Sequence, residues 1–94
     1  MIINEHAVFS EWLKKQNNDV VIIIVKRLAR VATGNFGDTK SVGDGVSELR
    51  IQYGPGYRIY YTLRGQEVVI LLCGGSKANQ KNDIKKAKEL SKEV

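Results

Sequence analysis

Ninety-four residues carry 15 Lys and Arg against 10 Asp and Glu, a formal charge of +5, in a chain long enough for one modest core but not for two. The 43% hydrophobic and 27% charged content is that of a soluble globular domain, and the positive balance points to an acidic partner: nucleic acid, a membrane surface or an acidic protein. One cysteine excludes an internal disulfide, and with a single histidine for company it offers no zinc site.

In chain order, Ile2-Ile3-Asn4 is β-prone and reads as an edge strand. Nothing in Met1–His6 resembles a signal peptide, so the expected location is cytoplasmic. Across Ala7–Gln16, Phe9, Trp12 and Leu13 fall at helical spacing, and Asn17-Asn18-Asp19 breaks the helix, with Asp19 as the expected N-cap of the next. Val20–Thr33 begins with the β-branched run VVIIIV, which favours a strand, and continues as KRLARVAT, helical in composition. Val21, Ile24, Leu28 and Val31 or Ala32 share one helical face, so the whole is expected to be a helix. The run Val20–Val25 is far too short for a membrane span but too apolar for one helix face, so Val20 or Ile23 is expected to meet a second protein or a second copy. Gly34 ends the helix, and 35–45 reads as a glycine-rich loop. Its glycines match neither GxxxxGK[ST] nor GxGxxG, and a surface loop is the ordinary reading, with Lys40 near enough to the sheet to touch a phosphate.

Val46–Cys73 alternates like a three-stranded antiparallel meander, turning at Gly54-Pro55-Gly56 and Gly65-Gln66. Turns of three and two residues pair Ile51 with Ile59, Leu49 with Tyr61, Arg50 with Tyr60, Leu63 with Val68, and Tyr61 with Ile70. Leu49, Ile51, Ile59, Tyr61, Val68, Ile70 and Leu72 then share a core face. Glu48, Arg50, Arg58, Tyr60 and Cys73 share the other, expected to be half open. After Gly74-Gly75-Ser76 a helix is expected over 79–93. Residues 77–94 hold six lysines against three carboxylates, Asp83, Glu89 and Glu93. The fold class is therefore α+β: one domain, 1–94, a small antiparallel sheet with two N-terminal helices on one face and a C-terminal helix on that same face.

The candidate chemistry sits on the open face. Arginines on a sheet are commonly solvated or paired, here with Glu48. Arg50 and Arg58 beside Tyr60, with Lys77 past the adjacent strand end, nevertheless form a convergent cationic group for a phosphate. Tyr60 suits base stacking or proton transfer, whereas Tyr57 and Tyr61 read as packing residues. A lysine-rich helix is usually a solvated face. Here Lys81, Lys85 and Lys86 add an RNA-binding surface to an already basic chain. His6 has no partner spacing for a triad, Cys73 reads as a small buried hydrophobe, and no metal or cofactor is called for.

Trp12-Leu13, GNFGD (34–38), K-x-x-G (40–43), GVSELRI (45–51), YGPGYRIYY (53–61), LLCGGSK (71–77) and the DI-KA-K pattern (83–88) together resemble the RelE/ParE toxin superfamily, in its HigB-like or "addiction module killer protein" branch. The likeness runs from about Phe9 to Leu90. It departs at Val20–Val25, where a more polar, alanine-rich sequence is usual, and at Ser76, where an acidic residue is frequent. The resemblance implies a RelE-like fold and the toxin of a type II toxin–antitoxin system, cleaving mRNA on the ribosome without metal by attack of a ribose 2′-hydroxyl on the neighbouring phosphate. It also implies a separate antitoxin, often with a helix-turn-helix domain. Arg50, Arg58, Lys77 and Tyr60 are its expected catalytic residues. No general base stands out, Gln80 and Asp83 being the outside candidates. ParE-like members of the superfamily inhibit DNA gyrase instead, and the residues leave that alternative open.

Overall fold

The computed structural model describes residues 1–94. In order it runs β1 (Ile2–Glu5), α1 (Ala7–Lys14), α2 (Asn18–Ala32), β2 (Thr39–Gly43), β3 (Val46–Ile51), β4 (Tyr57–Arg64), β5 (Val68–Ser76), a single 3₁₀ turn (Lys77–Asn79) and α3 (Gln80–Ser91). The five strands make one sheet in the order β1-β5-β4-β3-β2. Because β1 runs parallel to β5 while the other neighbours are antiparallel, the sheet is mixed rather than wholly antiparallel.

The segment 35–45 is more than a loop. Asp44 and Gly45 both take positive φ (56° and 75°), the backbone of a two-residue hairpin turn, and fold β2 back on β3. The Asp-Gly signal was present in the sequence, but the polar run before it hid an exposed edge strand. The helix after Gln16 starts earlier than expected. Asn17 is its N-cap, and Asp19 lies inside the first turn, where its carboxylate accepts a 2.7 Å hydrogen bond from the Tyr53 hydroxyl.

Both hairpins of the meander differ in register from expectation, with unequal consequences. The β3–β4 loop spans 52–56 rather than three residues, so Ile51 pairs with Tyr57, Leu49 with Ile59, and Arg50 with Arg58. That is a slip of two, and every side chain keeps its face. At β4–β5 the turn is three residues, 65–67, so Leu63 pairs with Val69 and Tyr61 with Leu71. That is a slip of one, and it inverts β5: Val69 and Leu71 enter the main core in place of Val68, Ile70 and Leu72. A bulge follows, since Tyr60 pairs with Cys73 while Tyr61 pairs with Leu71, leaving Leu72 as the extra residue. Leu72 and Cys73 therefore both turn to the opposite side.

The helices do not share one face. On one side Phe9, Val20, Ile24 and Val31 of α1 and α2 pack on Leu49, Ile51, Ile59, Tyr61, Val69 and Leu71. On the other, Ala87 and Leu90 of α3 cover Val46, Tyr60, Leu72 and Cys73. The face expected to be half open is thus roofed along most of its length. Trp12 lies directly against the backbone of Gly74, where an added Cβ would come within 2.4 Å of the indole, so only glycine fits. No helix is long and apolar enough to cross a membrane.

Candidate active site

Beyond the N-terminal end of α3, the ends of β3 and β4 stay uncovered and bound a cleft of about 530 Å³. Arg50 and Arg58 sit opposite each other on its floor, Lys77 and Asp38 stand at its sides, and the 52–56 hairpin loop forms one wall. That wall is fixed at both ends. The Lys77 backbone N–H donates to Gly56 O at 2.8 Å, and Tyr53 is tethered to Asp19 on α2. The Tyr53–Asp19 bond favours the ionised carboxylate, holding Asp19 below its ordinary range and raising the Tyr53 phenol.

Beneath the floor lies Glu48, 1% exposed. Arg50 Nε donates to its Oε1 at 3.1 Å, Arg58 Nη1 stands 3.5 Å from the same oxygen, and Gln80 Nε2 donates to Oε2 at 3.2 Å. A buried carboxylate without partners would be very costly. Here it fixes the two arginines so that their outer edges face the cleft, and it ties the start of α3 to the sheet. The Arg58 side chain is only 13% exposed, and neither its Nε nor its Nη1 has a hydrogen-bond partner, so Glu48 engages Arg58 as an ion pair alone.

Tyr60 is not where the sequence suggested. It is fully buried under α3, opposite Glu48 rather than Arg50. Burial first, then the nearby carboxylates of Glu48 and Asp83, drive its phenol far above the usual range, with Arg58 opposing, so it stays neutral. It is therefore out of reach for stacking on a base. Of the outside candidates, Gln80 joins the Glu48 cluster. Asp83, 8% exposed, lies over Gly75, where an added Cβ would collide with its carboxylate. Burial raises the Asp83 pKa, partly offset by a 3.1 Å hydrogen bond from Asn79 Nδ2 and by Lys86. Burial likewise pushes the Cys73 thiol up to about 12, leaving it an inert core group.

Three of the four expected catalytic residues, Arg50, Arg58 and Lys77, thus converge on one cleft. The expected RNA-binding lysines do not: Lys40 is exposed on the edge strand β2, and Lys81, Lys85 and Lys86 run along the outer surface of α3. The partner residues also move. Val20 is buried and Ile23 packs partly against the core, while Ile22 and Val25 are the exposed members of the run, at 54% and 53%. A helix turns 100° per residue, so a run of six apolar residues cannot all face the sheet, and the packing decides which are left in solvent. In the sequence Glu48 stood out only as an arginine's partner, Arg27 only as one of the basic residues of the second helix, with Lys26 and Arg30, and Asp38 not at all as a site residue. No cluster of three or more His, Cys, Asp or Glu side chains is placed to hold a metal ion.

These features define a small basic α+β domain whose single sheet presents an arginine-floored anion cleft at one end. The chain belongs to the phage-derived Gp49-like family (DUF891), whose model matches residues 11–92. It is 49% identical over 87 residues to an uncharacterised protein of Haemophilus influenzae, covering 92% of this chain and 88% of that one. Its fold is that of RelE. It superposes on a mutant of the E. coli toxin RelE in the free state with a TM-score of 0.76 at 18% identity, covering 94% of each chain. A second structure, of the isolated E. coli RelE toxin, gives 0.68 at 15% identity over 89% of this chain and 96% of that one.

Proposed function

We propose that this protein is the toxin of a type II toxin–antitoxin pair, of HigB-like kind, and that it cleaves mRNA on the ribosome, in the cytoplasm, as a metal-independent endoribonuclease. The observation that carries this reading is the convergence of Arg50, Arg58 and Lys77 on one cleft, with both arginines held from below by Glu48. Cations fixed in advance around a phosphate stabilise the added charge of a five-coordinate phosphorus without reorganising during the reaction. Arg50 and Arg58 take that role. Lys77, exposed at the rim, supplies the proton for the leaving oxygen. Lys40, Lys81, Lys85 and Lys86 contact ribosomal RNA, a long-range attraction that weakens as salt rises. Tyr60, fully buried under α3, does not touch the substrate. The cognate antitoxin, a separate chain, has Ile22 and Val25 of α2 open to it.

The test is cleavage of ribosome-bound mRNA by purified protein, beside a gyrase supercoiling assay. Arg58→Ala should lower the cleavage rate by about 10² or more, as loss of a transition-state donor does. It removes one of the three partners of buried Glu48, so it should also lower stability, and rates must be compared per folded molecule. Normal cleavage by folded Arg58→Ala would refute the assignment, and gyrase inhibition without cleavage would favour the ParE-like alternative.

A further inference from the structure

A ribose 2′-hydroxyl attacking a phosphate must lose its proton, and the cations of the cleft cannot take it. Of the buried acidic groups nearby, Glu48 is 1% exposed and enclosed by Arg50, Arg58 and Gln80, and Asp83, on the first turn of α3, is pressed against Gly75 of the sheet. Tyr60 is fully buried. Only one carboxylate lines the cleft itself, Asp38. Its side chain is 46% exposed, and its ion-pair partner, Arg50 Nη1, stands 3.9 Å away, because Arg50 is turned toward Glu48 by the closer 3.1 Å contact. Asp38 is thus open to substrate and only loosely engaged.

Its backbone, in contrast, is held firmly. Arg50 N–H donates to Asp38 O at 2.9 Å. Arg27, reaching from α2, spreads one guanidinium over three carbonyls: Nη2 donates to Asp38 O at 2.8 Å and to Phe36 O at 2.9 Å, and Nη1 donates to Arg50 O at 2.7 Å. Gly37, at φ +64°, makes room for this clamp, since a Cβ there would lie 3.1 Å from Arg27 Nη2. A loop residue tied to a helix and to the site's own strand is a positioned residue. The charged groups around Asp38 are Arg27 from α2, Arg50 from β3, Arg58 from β4 and Lys77 after β5.

We propose that Asp38 is the proton acceptor of this cleft and that Arg27 is the residue positioning it, an inference that rests on the nuclease reading above. The Asp38 carboxylate takes the 2′-hydroxyl proton while that oxygen bonds to phosphorus. The P–O5′ bond breaks, its electron pair stays on O5′, and the Lys77 ammonium gives O5′ a proton. The products are a 2′,3′-cyclic phosphate and a 5′-hydroxyl, after which Asp38 releases and Lys77 regains a proton through solvent.

The experiment measures single-turnover cleavage on ribosomes carrying a defined mRNA, and binding to the same complex with a 2′-deoxynucleotide at the cleaved position. Asp38→Asn should slow cleavage by about 10²–10⁴, the range of a lost general base, with binding changed by less than about threefold. The wild-type rate should fall on acidification as the acceptor becomes protonated, and the residual rate of the Asp38→Asn variant should lack that fall. Asp38→Glu should recover part of the rate. Arg27→Lys should slow cleavage by about tenfold while keeping the acid limb, as misplacement of an intact acceptor does. Cleavage by Asp38→Asn within about threefold of wild type, or equal loss of binding and rate, would overturn the role of Asp38 alone. A wild-type protein that cuts no mRNA would overturn the nuclease reading and Asp38's role with it.

Discussion

Under α1 and α2 the sheet is dry: Phe9, Ile24, Val31, Leu49, Ile59, Val69 and Leu71 are all fully buried hydrocarbon. Between α3 and the same strands, Glu48, Thr62 and the helix's own Asp83 are buried beside Tyr60, and the apolar cluster shrinks to six residues. Each large side chain on the dry face adds about 1.5–3 kcal/mol by leaving water. The charged side cannot be justified that way. A buried carboxylate with two arginines is worth little in net stability, yet it fixes cations in place. One face holds the fold and the other spends stability on geometry, and a single sheet lets the first support the second.

The two faces should part most visibly at Phe9. Phe9→Ala should cost about 3–5 kcal/mol in urea unfolding, a large share of a small domain's stability. Cleavage per folded molecule should stay near wild type, because the cleft lies across the sheet; a large specific loss there would mean the faces are not separable. Adjacent glycines on β5 give a finer test. Gly74→Ala drives a methyl into the Trp12 ring and should cost about 1–3 kcal/mol. Gly75→Ala meets only the Asp83 carboxylate, the end of a side chain that can rotate away. It should cost less stability than Gly74→Ala, and equal costs would show Asp83 to be as immovable as the indole.

The smallest effect belongs to Asp83. Its pKa is raised in the folded state, so between the unfolded and folded values the native protein binds more protons than the unfolded chain, and stability falls as pH rises through that window. Asp83→Asn should therefore melt slightly higher than wild type at neutral pH, with the difference closing in acid, below the unfolded value. A constant difference at all pH values would assign the effect to the Asn79 hydrogen bond instead.

Alternation and turn residues in the sequence by themselves determined the meander, the two N-terminal helices, the lysine-rich last helix and the shared face of Glu48, Arg50, Arg58 and Tyr60, since these follow from local periodicity. They also put Arg50 and Arg58 in one group, because strand parity survives a register slip of two, with Lys77 beside them because it directly follows the strand next to β4. What they left undetermined depends on distant parts of the chain. One extra turn residue at 65–67 inverted β5, and no local pattern distinguishes the registers of a strand apolar on both faces. Which face α3 would cover was likewise not written in its thin apolar stripe, and that choice buried Tyr60. Asp38 sits in a stretch that reads as loop. Only the tertiary structure, through Arg27 reaching from α2 across to β3, carries it to the arginines, because a clamp between elements 11 and 23 residues apart leaves no periodic trace.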